Sequence, residues 1–307
     1  MTKIAFMFPG QGSFEPGMGV EIAEAHPEAM AVYDAGSKAT GMDLHEICFR
    51  GPVEAMLETE VQQPALVATS LAINEAIRVR GIRPDFVVGH SVGEFAALGA
   101  GEALTPAEAI ALVRERGLAM AEAAAAHPGS MAAILGLADE VVEKLCTRIS
   151  NVWPANYNCP GQIVISGEDA AVAECCAQAE DEGARRAVRL RVSGAFHSPL
   201  VARAADRLRP AIDHVPFREP RAAFMSTVTA KLEEVGRFRE LLIEQLTAPV
   251  RFTQSARELV GRGVTTFVEV GPGTVLSGLL KRIDRNVQTI QVSDLKGLDD
   301  LERFARA

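Results

Sequence analysis

The segment 85–93 constrains this chain more than any other. Asp85-Phe86-Val87-Val88 is a short apolar run that ends in Gly89-His90-Ser91-Val92-Gly93, and a helical pattern follows over 92–100. A buried strand that passes through a tight turn into a helix is the building unit of a parallel sheet covered by helices. The same alternation recurs along the chain. Residues 3–8 read as a strand closed by Pro9-Gly10. Residues 64–80 read as a helix with Pro64 near its first turn and Gly81 behind it. Thr105 as N-cap, with Glu108 three positions on, opens a helix over 106–125. Further helices are expected over 199–212, 238–247 and 253–262. A strand over 265–270, a helix to about 283 and a strand over 287–292 follow.

Between these halves the pattern changes. Strand-like 130–137, helical 139–149, strand-like 152–157 and 162–166, helical 168–182 and strand-like 186–192 give the order β-α-β-β-α-β, with a turn at Asn158-Cys159-Pro160-Gly161. The expected fold class is therefore α/β. A large domain with a mostly parallel sheet is built from 1–127 and 195–307, and a small ferredoxin-like domain at 128–194 is inserted into it.

Composition narrows the function classes. The chain has 307 residues, 48% hydrophobic, enough for a core without disulfide or metal staples. Thirty-one Lys and Arg against 40 Asp and Glu give a net charge of −9, the wrong sign for a nucleic-acid binder. Cys48, Cys146, Cys159, Cys175 and Cys176 are odd in number and contain no Cys-x-x-Cys pair, so reduced thiols are expected. No basic leader precedes a long apolar stretch, and no uncharged window is long enough to span a membrane. The expected setting is the cytoplasm.

In a Gly-x-Ser-x-Gly elbow the glycines allow a sharp turn, and the serine oxygen stands above the sheet edge at the positive end of the next helix. Ser91 is thus a candidate nucleophile, and a hydroxyl nucleophile needs a base. His26 and His127 precede prolines at helix ends, and His45 and His214 lie among mixed charges. His90 adjoins the nucleophile but points elsewhere on the elbow, which favours a structural or substrate-lining role. His197, in Gly194-Ala195-Phe196-His197-Ser198-Pro199, lies in a loop between a strand and a helix. From position alone it is either the base or a core or capping histidine.

Eight motifs occur in order: Phe8-Pro9-Gly10-Gln11-Gly12-Ser13; Gln63-Pro64-Ala65-Leu66; Gly89-His90-Ser91-Val92-Gly93-Glu94; Arg116-Gly117 with Met120; Asn158-Cys159-Pro160-Gly161-Gln162; Ala195-Phe196-His197-Ser198; Pro249-Val250; and Glu269-Val270-Gly271-Pro272-Gly273. Together they resemble the malonyl-CoA:acyl carrier protein transacylases of fatty-acid synthesis and the acyltransferase domains of polyketide synthases, over the whole chain. The resemblance implies an α/β-hydrolase-like large domain and a Ser91–His197 dyad. It further implies a backbone carbonyl at Gln245 orienting the histidine in place of a carboxylate, and an oxyanion hole from the Gln11 and Val92 amides.

The resemblance also implies that Arg116 binds the free carboxylate of the substrate, for which a planar guanidinium with two parallel N–H donors is suited. On residue pattern alone, Arg114-Glu115-Arg116 is equally a solvated face. Phe196 would limit room for an α-methyl group. His90, Asn158, Gln162 and Gln63 belong to the channel and its surroundings, and Glu94 and Gln63 are expected to orient rather than react. Arg185, Arg186 and Arg189, with Lys281, Arg282 and Arg285, are the candidates for docking an acidic carrier protein.

The expected reaction moves a malonyl group from malonyl-CoA to the phosphopantetheine thiol of acyl carrier protein through a malonyl-serine. No metal or redox cofactor is expected, and the coenzyme A thioester is a substrate. A monomer is expected. A polyketide-serving transferase, an acyl-thioester hydrolase and a non-catalytic carrier-binding module are the alternatives.

Overall fold

The structure, a computed structural model, describes residues 3–52 and 54–306; Met1, Thr2, Val53 and Ala307 lie outside them. β1 (Lys3–Phe8) leads through α1 (Val20–Ala25) and α2 (Pro27–Thr40) to α3 (Thr59–Val79), then β2 (Phe86–Gly89), α4 (Gly93–Ala100) and α5 (Pro106–Ala126). Next come β3 (Ser130–Leu135), α6 (Asp139–Arg148), β4 (Val152–Cys159), β5 (Gln162–Gly167), α7 (Asp169–Asp181) and β6 (Arg186–Arg189). The chain continues with α8 (Ala204–His214), β7 (Ala223–Ser226), β8 (Lys231–Glu233), α9 (Phe238–Glu244) and α10 (Phe252–Gly261). It closes with β9 (Val264–Val270), α11 (Val275–Ile283), β10 (Gln288–Val292) and α12 (Leu295–Arg306).

The strands form two sheets. Six strands in the order β10-β9-β1-β2-β7-β8 are parallel except for β8, which returns antiparallel on β7. The strands β4-β5-β3-β6 form an antiparallel sheet drawn entirely from 130–189. In the large sheet Phe8 pairs with Gly89 and Met7 with Glu269. The carboxyl ends of β1, β2 and β9 therefore stop side by side, and the loops that follow them converge on one edge, where parallel sheets bind ligands. The small sheet is tied to the large one by backbone: Val250 N–H donates to Ala155 O and Tyr157 N–H to Val250 O, each at 2.8 Å.

Two glycines of the elbow exist for close approach. A Cβ on Gly93 would stand 2.2 Å from the Phe8 carbonyl oxygen, and one on Gly89 would stand 2.0 Å from the Gly93 carbonyl carbon. The start of α4 thus packs directly on the backbone of β1 and β2.

Several boundaries differ from expectation for identifiable reasons. Pro64 lies inside α3, not near its first turn. A helical proline leaves the carbonyl four residues back without its N–H, and here Arg114 Nη1 donates to that Glu60 carbonyl at 2.6 Å. The helix expected over 199–212 is a separate 3₁₀ turn, Pro199–Val201, followed by α8. Ser198 Oγ accepts the Leu200 N–H at 3.3 Å while donating to Ala195 O at 2.6 Å, which keeps that turn apart. The strand expected over 186–192 ends at Arg189, because beyond Leu190 the chain leaves the sheet to wall the site cavity. Asn158 and Cys159 belong to β4 rather than to the turn, since Cys159 still pairs with Gln162. Sequence patterning did not single out α1, α2, β7, β8 or α12. Among the described residues no helix is long and apolar enough to cross a membrane.

Gly93→Ala is expected to destabilise the chain by about 3 kcal/mol or more, since the methyl meets backbone that cannot rotate away. Urea unfolding measures this, and an unchanged midpoint would show that α4 does not press on β1 in solution.

Candidate active site

Ser91 occupies the turn between β2 and α4 with φ 53, a left-handed conformation that a non-glycine residue holds only under constraint. The constraint is local: Gly93 N–H reaches His90 O and Glu94 N–H reaches Ser91 O, both at 3.0 Å. Its Oγ lies 2.7 Å from His197 Nε2. His197 also has a positive φ, 58, and is buried. Its Nδ1 lies 2.9 Å from the backbone oxygen of Gln245 and 3.1 Å from that of Ala248. Carbonyl oxygens only accept, so Nδ1 carries the ring proton and Nε2 offers its lone pair to the Ser91 hydroxyl.

The imidazole is neutral at rest. Burial first, then the nearby Arg116 charge and His90, lower its pKa from 6.5 to about 3, against the opposing pull of the two carbonyls. A hydroxyl bonded to a neutral imidazole can lose its proton as it attacks, which is the chemistry of an activated nucleophile.

Arg116, on α5, is fully buried. It is no solvated face: Nη1 donates to Gln63 Oε1 at 2.7 Å, and Nη2 donates to Ser91 Oγ at 3.1 Å and to Gln245 Oε1 at 3.0 Å. The Phe95 ring centroid lies 5.8 Å from its Cζ, and its Nε has no partner among the described residues. Burial lowers the guanidinium pKa to about 9, with Glu94 pulling the other way, so it stays cationic near neutral pH.

A cavity of ≈ 180 Å³ opens onto Ser91 and His197. Gln11, His90, Asn158 and Phe196 line it, as their motifs led us to expect. His90 points away from the Ser91 hydroxyl and meets Asn158 Oδ1 through Nε2 at 2.9 Å. Gln63 stands behind the cavity, joining Arg116 to Gln11 Oε1 through Nε2 at 3.2 Å. The Gln11 and Val92 backbone N–H groups have no acceptor among the described residues. Gln162 is not on the cavity wall; its Oε1 accepts from Arg282 at 2.8 Å instead.

Sequence reasoning missed the apolar wall that the small sheet and the strand leaving it supply through Met131, Val164, Leu190 and Val192, and the one α11 supplies through Leu276 and Leu279. Alternating apolar residues in an inserted domain carry no mark of which face meets a ligand. It also missed Ala248 O and Thr227, whose partners lie 51 and 133 residues away.

The two basic clusters flank the turn between β4 and β5. Arg282 Nη2 donates to Pro160 O at 3.3 Å, Gly136 N–H donates to Gly161 O at 2.9 Å, and Gly136 abuts Arg185. Arg185, Arg186, Lys281 and Arg282 are all exposed, whereas Arg189 is paired with Asp169. All five cysteines are unpaired, and no group of three or more His, Cys, Asp and Glu among the described residues is arranged to hold a metal ion.

The acyl transferase domain family matches residues 5–303. The malonyl CoA-acyl carrier protein transacylase of Bacillus subtilis is 44% identical over 299 residues, covering 96% of this chain and 94% of that protein. The crystal structure of acyl-carrier-protein-S-malonyltransferase from Bartonella henselae superposes with a TM-score of 0.96 at 35% identity, covering both chains fully. A type II polyketide synthase acyl-carrier protein in complex with its malonyl-transacylase gives 0.95 at 35% identity, over 99% of this chain and 100% of that one. With this fold, these motifs and these matches, the chain belongs to the acyl transferase domain family.

Proposed function

We propose that this enzyme transfers a malonyl group from malonyl-CoA to the phosphopantetheine thiol of an acyl carrier protein by way of a malonyl-Ser91 ester. The observation that carries the proposal is a buried guanidinium hydrogen-bonded to the nucleophile itself. Two C–C bonds separate the acyl carbonyl of a malonyl group from its carboxylate carbon. A cation one hydrogen bond from Ser91 Oγ is therefore within reach of that carboxylate and no use to an acetyl group.

In the first half-reaction Ser91 Oγ attacks the thioester carbonyl while its proton passes to His197 Nε2. The negative oxygen is received by the Gln11 and Val92 amides, helped by the positive end of α4. The C–S bond then breaks, and the proton on His197 goes to the departing coenzyme A sulfur. In the second half His197 takes the proton of the carrier thiol, whose sulfur attacks the ester. Collapse of the tetrahedral intermediate returns the proton to Ser91. Arg116 holds the carboxylate throughout, Gln245 O and Ala248 O keep the imidazole aimed, and His90 with Asn158 lines the entry. Phe196 stands beside the acyl group and disfavours an α-methyl substituent, which hydrophobic contact alone discriminates by only about 1–3 kcal/mol.

All of these groups come from one chain, so a monomer suffices, and the scheme calls for no metal or redox cofactor. The exposed Arg185, Arg186, Lys281 and Arg282 on either side of the β4–β5 turn support docking of an acidic carrier protein despite the overall negative charge. The cytoplasm, where coenzyme A thioesters are made and used, is the matching location.

Mass spectrometry after mixing with malonyl-CoA should show one malonyl adduct on Ser91 that is absent in Ser91→Ala; an unmodified wild-type protein under active conditions would refute the scheme. Reversing Arg185 and Lys281 to Glu should raise KM for carrier protein about tenfold while leaving KM for malonyl-CoA near its starting value; equal effects would defeat the docking assignment.

The lowered His197 pKa keeps the base neutral well into acid. Acylation measured as kcat/KM for malonyl-CoA is therefore expected to hold from about pH 8 to about pH 5. An acid limb near the free imidazole value of about 6.5 would overturn this. Below that value the unfolded chain binds a proton on this residue that the folded chain refuses. The His197 contribution to stability thus declines as pH falls from 6.5 toward about 3.

A further inference from the structure

Glu94 is buried directly behind the site, where two N–H groups and one hydroxyl hydrogen-bond its carboxylate. Oε1 accepts the Thr227 N–H at 2.5 Å and the Thr227 hydroxyl at 2.9 Å, and Oε2 accepts from Gln245 Nε2. Burial raises its pKa above the ordinary carboxylate value, and the hydrogen bonds oppose that rise only in part. An N–H that can only donate faces each oxygen, and the Thr227 hydroxyl can add a third bond by donating, so the ionised form accepts all three. The same Gln245 amide turns its Oε1 to Arg116 Nη2 at 3.0 Å and gives its second N–H to Ser91 O at 3.0 Å. One amide therefore stands between a buried anion and a buried cation, oxygen toward the cation and N–H toward the anion. A direct Arg116–Glu94 pair would occupy the donors that a substrate carboxylate needs. The interposed amide leaves the cation balanced at a distance, with all its partners neutral.

We propose that the Glu94 carboxylate is a positioning residue that, through the Gln245 amide, holds the Arg116 guanidinium charged yet unpaired and so gives the site its selectivity for acyl groups bearing a carboxylate. This deepens the function proposed above and rests on Arg116 binding the malonyl carboxylate. An amide cannot replace the carboxylate. In Glu94→Gln one rotamer opposes the Thr227 N–H. The other makes Gln245 invert, which points its N–H groups at Arg116 and withdraws one from Ser91 O.

The test compares kcat/KM for malonyl-CoA and acetyl-CoA, with carrier protein as acceptor, in wild type, Glu94→Gln, Arg116→Ala and the double variant. Glu94→Gln is expected to lower the malonyl-to-acetyl ratio about tenfold or more, the scale of one charge-assisted hydrogen bond. In the Arg116→Ala background it should leave that ratio unchanged. Equal loss for both donors, or the same drop in ratio without Arg116, overturns the proposal. If Arg116→Ala alone keeps the wild-type ratio, the carboxylate role of Arg116 fails and this inference with it. If Arg116→Ala collapses the ratio and Glu94→Gln does not, only the role of Glu94 fails. Should Glu94→Gln not fold, Thr227→Val removes the Oγ1 donor that fixes the carboxylate. It must then lower the ratio in the same direction, and an unchanged ratio overturns the proposal.

Discussion

A guanidinium held away from water beside the nucleophile sets the terms for everything around it. An unpaired buried charge costs several kcal/mol unless fixed dipoles replace its hydration. Arg116 meets that cost with three neutral acceptors, Gln63, Gln245 and the Ser91 hydroxyl, and with the face of Phe95. Each acceptor is in turn held by something else. Gln63 leans on Gln11, Gln245 on Glu94 and the Ser91 carbonyl, and Ser91 on His197. The cluster is one connected polar network in an apolar shell, where the low dielectric strengthens satisfied bonds and penalises any orphan.

The same charge shapes the base. Arg116 adds to burial in keeping His197 unprotonated, and the groups orienting the imidazole are backbone carbonyls rather than a carboxylate. A carboxylate there would stabilise the imidazolium more strongly, but it would also place a full negative charge near the guanidinium and compete with the substrate for it. Neutral carbonyls orient the ring without that competition. The backbone bonds between β4 and the 248–250 segment fix the small sheet relative to the loop that aims the base. The cavity wall and the catalytic geometry are thereby set together.

Much of this was legible residue by residue. The elbow at 89–93 announced itself because the glycines forced by backbone contact flank a serine between a strand and a helix. The Thr105–Glu108 capping box is present as expected. The β-α-β-β-α-β order of 130–189 was readable because local periodicity switches from helix to strand there. Pro64 misled because its rescue comes from Arg114, far along the chain. The short β7 and β8 carried too few residues for a pattern to emerge. His197 stayed ambiguous on position, and only the motif series singled it out.

By itself the sequence determined the elements whose causes are local: the turn that strains Ser91, the caps and the alternation of strand and helix. It also placed the reactive residue types at the ends of strands. The tertiary structure alone decided that Arg116 is buried rather than solvated, that Gln245 bridges it to Glu94, and that the small sheet walls the cavity. Those outcomes depend on contacts between residues 53 to 151 positions apart. Charge burial is a property of what closes over a side chain, and no local spacing records it.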